Sequence, residues 1–241
     1  LIGLNCATGP AEMSEHLRYL SKNARCALSV MPNAGLPVLG PKGATYPLGP
    51  DALAEALATF VDDYKITLIG GCCGTTPEHL AAVVNRLDRK PVGARTLVAD
   101  PGASSLYQYV PFRQDNTYLA IGEKTNANGS RAFRDALVEE NWETCVEIAR
   151  DQIRDGAHML DLSVDYVGRN GVKDMTEIAK RFATSSTLPI MLDSTEPAVL
   201  QAGLEQLGGR SVINSVNYED GDGPSSRFAR IMPLVVEHGA S

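Results

Sequence analysis

Short apolar runs alternate along this chain with segments in which apolar residues recur every three or four positions. The runs are almost continuously apolar, which is typical of parallel strands covered on both faces. The other segments have the period of amphipathic helices. The predicted strands are 1–4, 26–31, 66–69, 118–121, 158–164, 189–192 and 211–216, and the predicted helices are 51–64, 76–87, 141–154 and 174–184.

This alternation of strand and helix predicts an α/β fold with parallel sheets. Residues 91–117 interrupt it, because they contain three prolines and show no sustained period. We interpret that segment as an interdomain linker. Three strand–helix units precede it and four follow it, so neither side reaches the eight units of a closed (β/α)₈ barrel.

Composition narrows the class of protein. The chain has 241 residues, 44% of them hydrophobic, and a net charge of −7, so wholesale disorder is excluded and nucleic acid is not an expected partner. No apolar run approaches the roughly 18 residues of a membrane span. The odd number of cysteines, with Cys72 beside Cys73, favours a reducing, cytoplasmic location. Because the chain begins inside an apolar run and without Met, we expect it to be a piece of a longer protein.

Three cysteines lie at the carboxyl ends of predicted strands. Cys6 follows the first strand, and Cys72 and Cys73 follow the third, among glycines that permit a sharp turn. In a parallel barrel these thiols would meet on one face. Three thiolates bind Zn²⁺ well and leave a fourth position open for a substrate thiol. The alternative is that cysteines are small buried hydrophobes, which is our interpretation of Cys26 and Cys145.

Three motifs in this half carry a family resemblance. They are GLNCATGP at 3–10, MPNAGLP at 31–37 and GGCCGTTP at 70–77. Together they resemble the last three strand ends of the zinc homocysteine S-methyltransferase domain. The resemblance covers about residues 1–90 and implies the C-terminal part of a TIM-type (β/α)₈ barrel, with Asn33 beside homocysteine. The zinc ligands that it implies are Cys6, Cys72 and Cys73.

Polar residues also cluster at the ends of four successive strands in the second half of the chain. They are Glu123 and Asn126, then Asp161, then Asp193, then Asn214. A carboxylate can accept two N–H bonds from an amino-pyrimidinone edge, and an amide both donates and accepts, so the set suits a flat heterocycle. Each residue taken alone also fits a helix cap or a turn.

The stretch 121–130, with Asp161, 192–194 and 214–215, resembles the pterin-binding domain of methyltetrahydrofolate methyltransferases, which are relatives of dihydropteroate synthase. The resemblance implies that 118–241 is the N-terminal half of a second (β/α)₈ barrel. Family members usually have Arg at the position of Lys124 and Asn at that of Ser163, whose shorter side chain suggests a bridging water. The implied folate contacts are Glu123, Asn126, Asp161, Asp193 and Asn214.

This domain order is similar to that of the cobalamin-dependent methionine synthase family. The resemblance implies methyl transfer from 5-methyltetrahydrofolate through cobalamin to zinc-activated homocysteine, with Asp161 and Asn214 in the catalytic proton network. The sequence contains no Asp-x-His-x-x-Gly cobalamin motif, so we expect cobalamin on a domain outside this chain. The alternatives are a cobalamin-independent zinc homocysteine S-methyltransferase and a non-catalytic fragment that retains the barrel surfaces.

Overall fold

The computed structural model describes residues 1–41, 43–88, 91–98 and 100–241. It divides into two compact units, residues 1–99 and residues 100–241. Each unit combines a parallel sheet with helices, which confirms the predicted α/β class. Every predicted strand overlaps an observed one. None of the helices in the described parts of the chain is long and apolar enough to cross a membrane.

The first unit contains a parallel sheet in the order β1-β2-β5 and a separate antiparallel hairpin, β3-β4. A proline opens each of its helices, as is common in the first turn. The strands are β1 Ile2–Asn5, β2 Leu28–Met31, β3 Val38–Gly40, β4 Gly43–Thr45 and β5 Leu68–Ile69. The helices are α1 Pro10–Asn23, α2 Pro50–Tyr64 and α3 Pro77–Leu87. Fully buried side chains such as Leu17, Leu28 and Leu57 form the core between them.

The second unit contains a parallel sheet in the order β11-β10-β9-β8 and a hairpin, β6-β7. Its core is centred on Phe133, Leu160 and Phe182, which are essentially inaccessible to solvent. The strands are β6 Gly102–Ser104, β7 Tyr109–Pro111, β8 Ile121–Gly122, β9 Met159–Leu162, β10 Ile190–Asp193 and β11 Val212–Asn214. The helices are α4 Arg131–Val138, α5 Trp142–Arg154, α6 Gly171–Ser185, α7 Pro197–Leu204 and α8 Arg227–His238.

The segment 91–117, interpreted above as a linker, contains the hairpin β6-β7. Ser104 exchanges two backbone hydrogen bonds with Arg210, of 3.0 and 2.9 Å. The hairpin is therefore tied to the second unit. Its strands are only three residues long, too short to produce a recognisable alternation of apolar and polar positions.

All strands of each main sheet run parallel. Their carboxyl ends therefore lie at one edge, which is where open α/β sheets bind their ligands. The residues singled out from the sequence lie at or just after these strand ends, so the topology gathers them at one edge within each unit.

Candidate functional site

Three thiols meet at the carboxyl edge of the first sheet. The sulfur of Cys73 lies 3.7 Å from that of Cys6 and 4.0 Å from that of Cys72, and all three sulfurs lie within 4.8 Å of one another. Cys6 follows β1 with a φ of +62°, and its backbone N–H bonds to Met31 on β2. Such a cluster of soft donors can hold a metal ion.

Two of the three thiols differ in acidity because of the hydrogen bonds around them. A hydrogen bond from the backbone of Ala7 lowers the pKa of Cys6, and bonds from the Cys72 and Cys73 thiols lower it further. The pKa of Cys72 is raised, chiefly through its hydrogen bond to Cys6. Cys6 therefore ionises more readily than Cys72, and thiolates are the form that binds metals.

Asn33 supports this cluster from the loop after β2. It is 3% exposed, and its side-chain oxygen accepts a 3.1 Å hydrogen bond from the backbone N–H of Cys73. Its own N–H donates to the Thr8 carbonyl at 3.0 Å. Asn33 thus connects the loop that carries Cys6 with the loop that carries Cys73.

Tyr46 is a member of this site that the sequence reasoning missed. Its ring lies so close to Gly74 that a Cβ at that position would approach the Tyr46 ring to 2.3 Å. A hydrogen bond with Cys73 raises the pKa of the Tyr46 hydroxyl. Tyr46 directly follows β4 of the unpredicted hairpin. An aromatic residue between two glycine- and proline-rich stretches is the only signal that the sequence offered.

In the second unit one amide joins two carboxylates. The Nδ2 of Asn126 donates to Asp161 Oδ2 at 2.8 Å and to Asp193 Oδ2 at 3.0 Å. The side-chain oxygen of Asn126 accepts from the backbone N–H groups of Asn128 and Gly129. Asn126 therefore uses its amide both in a local turn and in the carboxylate cluster, whereas Ser130 caps α4.

Asp161 is the most deeply placed carboxylate of the cluster. It is 3% exposed, and its Oδ1 has no hydrogen-bond partner among the described residues. Burial raises its pKa to about 6, and the nearby charges of Asp193 and Glu123 act in the same direction. A buried acceptor without a partner is costly, so this oxygen favours a ligand that donates an N–H or O–H.

The other predicted folate contacts, Asp193, Glu123 and Asn214, lie around Asn126 and Asp161. Burial, together with the charges of Asp165 and Glu123, raises the pKa of Asp193, which places Glu123 within electrostatic reach. Asn214 is the register partner of Asp193 in the sheet, and its carbonyl accepts from Ser194. Asp193 is not a helix cap, since the N-cap of α7 is Glu196.

A buried amide from α5, which the sequence reasoning did not select, supports the loop after β8. Gln152 accepts from the backbone of Lys124 at 2.6 Å and donates to the Thr125 hydroxyl, which in turn bonds to the Asp161 carbonyl. The Lys124 ammonium pairs with Asp155 at an exposed position. Ser163 is buried, and its backbone pairs with the same loop. The interior of a helix gives no sequence signal for such a contact.

Two family descriptions match the chain, one to each half. Residues 1–87 match "Homocysteine S-methyltransferase", and residues 122–241 match "Pterin binding enzyme". Among solved structures, the carboxyl transferase domain of Rhizobium etli pyruvate carboxylase with oxalate shows 14% identity and a TM-score of 0.30, over 99% of this chain and 39% of that chain. That likeness is too weak to support any argument.

Two curated relatives align with the whole chain. The methionine synthase of Mycobacterium tuberculosis is 65% identical over 241 residues, and that of Mycobacterium leprae is 64% identical over 246 residues. The alignment covers 100% of this chain and 20% of each relative, so the chain spans about a fifth of their length. By sequence, the chain is therefore similar along its whole length to a stretch of these methionine synthases, and within it a segment that matches homocysteine S-methyltransferases is followed by one that matches pterin-binding enzymes.

Proposed function

We propose that the chain carries two substrate sites for methyl transfer from 5-methyltetrahydrofolate to homocysteine, forming methionine and tetrahydrofolate. The thiol cluster of Cys6, Cys72 and Cys73 is the single observation that carries the proposal. It lies inside the segment that matches the homocysteine S-methyltransferases.

The donor set fits zinc. Tetrahedral zinc–thiolate bonds of about 2.3 Å require sulfur–sulfur separations of about 3.8 Å. The separations from Cys73 to Cys6 and Cys72, 3.7 and 4.0 Å, bracket that value. Three protein thiolates leave one tetrahedral position for a substrate, as in catalytic zinc sites.

Homocysteine is the thiol expected in that fourth position. Bound zinc lowers the pKa of a coordinated thiol and so supplies it as a thiolate near neutral pH. The chain's own contribution is to hold the three cysteines in place. Asn33 does so through the Cys73 backbone, and we propose that it lies beside the homocysteine.

The carboxylate–amide cluster is proposed to bind the pterin ring of folate. The free Oδ1 of Asp161 offers an acceptor to an N–H of the amino-pyrimidinone edge. Asp193 and Asn126 are already joined by a hydrogen bond, so they form a pre-organised polar wall. Glu123 and Asn214 complete the proposed set of contacts.

Proton delivery to N5 of the folate is the chemical requirement of this site. The amine is a poor leaving group until N5 is protonated; the protonated amine would then keep the N–C bonding pair and leave as tetrahydrofolate while the methyl group passes to the nucleophilic carrier. With a pKa of about 6, the Asp161 carboxyl exchanges its proton close to neutral pH. We propose that Asp161 and Asn214 belong to the network that supplies this proton.

Three further features belong to the proposal. Each parallel sheet is taken as part of a (β/α)₈ barrel, and the methyl carrier is cobalamin on a domain outside this chain. A cytoplasmic location is supported by the five cysteines, which are all free thiols and therefore suit a reducing compartment.

Zinc content and folate binding test the two sites separately. Protein purified under reducing conditions should contain about one zinc per chain, and Cys72→Ser should lose it. Cys26→Ser, a half-buried cysteine outside the cluster, serves as the control and should retain the metal. Calorimetric titration with 5-methyltetrahydrofolate should show binding that both variants preserve.

Homocysteine added to the zinc-loaded protein should release a proton, which a weakly buffered calorimetric titration detects. A folded protein without zinc, or one that keeps its zinc in Cys72→Ser, refutes the metal site. Absence of folate binding in the wild-type protein refutes the pterin site.

A further inference from the structure

Arg227, at the start of α8, joins two loops that follow neighbouring strands. Its Nη2 donates to the Ser194 carbonyl at 2.7 Å and its Nη1 to the Thr195 carbonyl at 2.6 Å. Its Nε donates to the Ser215 carbonyl at 2.8 Å. One planar guanidinium thus bridges the loop after β10 and the loop after β11.

Each of these loops begins directly after a proposed folate contact. Ser194 follows Asp193, and Ser215 follows Asn214. The carbonyls that Arg227 binds are therefore one or two residues from the functional side chains. A change in the spacing of the two loops would change the separation of Asp193 and Asn214.

A third strand end is tied to the same loops. The carboxylate of Asp165, in the loop after β9, accepts from the Ser194 hydroxyl at 2.8 Å and from the Thr195 backbone N–H at 2.9 Å. The backbone of residues 194 and 195 is thus held from one side by Asp165 and from the other by Arg227. Neither group belongs to the predicted folate contacts.

The position of Arg227 is itself fixed. Ser226 caps α8 by accepting from the Ala229 N–H at 3.1 Å, and the Arg227 N–H donates to Asp220 at 3.0 Å. The positive charge of Arg227 also lies close enough to oppose the rise in the pKa of Asp193. The first turn of α8 is therefore held in place, and it directs the charge and the N–H donors of the Arg227 guanidinium at the loops that follow Asp193 and Asn214.

We propose that Arg227 is a positioning residue of the folate site: it sets the spacing of Asp193 and Asn214 through the backbone carbonyls of Ser194, Thr195 and Ser215. This inference rests on the proposed function. It adds that the proposed folate contacts depend on Arg227, which is not itself one of them. Lysine cannot replace it, because an ammonium is a point charge and lacks the planar fork of donors.

Three variants test this role in the full chain. Arg227→Lys keeps the charge and loses the fork, and Arg227→Ala leaves space for added guanidinium. Arg230→Lys, an exposed arginine on the same helix, is the matched control. Calorimetry gives the Kd of 5-methyltetrahydrofolate, thermal unfolding reports the fold, and zinc per chain reports the first unit.

We expect both Arg227 variants to bind folate about tenfold to hundredfold more weakly, as misplaced binding groups do, with zinc content unchanged. Guanidinium chloride at low millimolar concentration should restore part of the affinity of Arg227→Ala, whereas equal sodium chloride should not. Arg230→Lys should bind as the wild type does.

Unchanged folate affinity in both Arg227 variants overturns the inference and leaves the folate site intact. The same applies if affinity falls only in proportion to the unfolded fraction and guanidinium restores nothing, because Arg227 is then merely structural. Absence of folate binding by the wild type is a different result, which refutes the pterin site and this inference with it.

Discussion

The side-chain oxygen of Asn33 accepts a hydrogen bond from the backbone N–H of Cys73, 40 positions further along the chain. The next residue, Ala34, donates its own N–H to the Cys73 carbonyl at 2.9 Å. The peptide groups on both sides of Cys73 are therefore held by the loop after β2. Because Asn33 is buried, water competes little for the hydrogen bond that it accepts from Cys73. The direction of the Cys73 side chain therefore depends on this hydrogen bond.

Asn33→Ala should weaken zinc binding by about tenfold to hundredfold, as loss of an outer-sphere partner commonly does. It leaves the Cys73 N–H without its partner while keeping all three thiols. Competition with a chelator of known affinity measures the effect. Asn85→Ala, at an exposed position of α3, should leave the affinity unchanged; equal affinities for both variants would contradict the role of Asn33.

Gly74→Ala should destabilise the first unit and lower its zinc affinity. Gly74 has a φ of +78°, and a Cβ there would collide with the Tyr46 ring beside Cys73. Gly156→Ala is the matched control, since Gly156 has a φ of +90° but open space around it. Strain in φ alone should cost about 1–2 kcal/mol. Calorimetric unfolding should therefore show a larger loss for Gly74→Ala, and equal losses would exclude the collision.

Asp161→Asn should stabilise the protein while it weakens folate binding. Burial raises the pKa of this carboxyl from 3.8 to about 6, so its charge destabilises the fold by up to about 3 kcal/mol above pH 6. The neutral amide removes that penalty but also the acceptor proposed for the pterin. Urea unfolding at pH 8 and folate titration measure the two effects, and Asp115→Asn, at an exposed position, should change neither.

The same substitution has a defined pH dependence. The pKa of the Asp161 carboxyl is higher in the folded state than in the unfolded state, so this group favours folding most at low pH, where it is protonated in both states. That contribution to stability is lost as the pH rises from about 4 to 6. The stability gained by Asp161→Asn should therefore be absent near pH 4, grow to pH 6 and stay constant above it. A gain that is equal at pH 4 and pH 8 would show that the carboxylate carries no burial penalty.

Asp174→Ala should cost the second unit about 3 kcal/mol. Asp174 is 1% exposed and takes two 2.7 Å hydrogen bonds from Arg169, itself 19% exposed, so the variant leaves a largely buried cation with the more distant Glu140 carboxylate, 3.7 Å away, as its charged partner. The double variant Arg169→Met/Asp174→Leu should recover most of the loss, because neither charge then needs a partner. Urea unfolding at pH 7 tests both, and a single variant within about 0.5 kcal/mol of wild type would contradict the expectation.

The strand ends explain why the gathering of the thiols and carboxylates could be predicted from the sequence. Apolar runs indicate parallel strands, and parallel strands bring residues such as Cys6 and Cys73, or Asp161 and Asp193, to one edge. Their roles as ligands of zinc and folate stay predictions.

Residues that reach a site from elsewhere could not be predicted in this way. Tyr46 follows a short exposed hairpin that leaves no alternating pattern, and Gln152 and Arg227 lie on helices, where the period marks only the buried face. The contacts of Gln152 and Arg227 depend on how their helices pack against the sheet. That geometry comes from packing across the whole unit rather than from local spacing.

The thiols of the first unit come from opposite ends of its sequence, since Cys6 and Cys73 are separated by 67 positions. A metal ion held by all three would therefore act as a removable cross-link that closes most of the unit into one loop. Each tenfold rise in free metal above the Kd would add about 1.4 kcal/mol to the stability of the folded form. The abundance of such a protein in a cell would then follow the supply of the metal, because metal-starved chains would unfold more often and be degraded sooner.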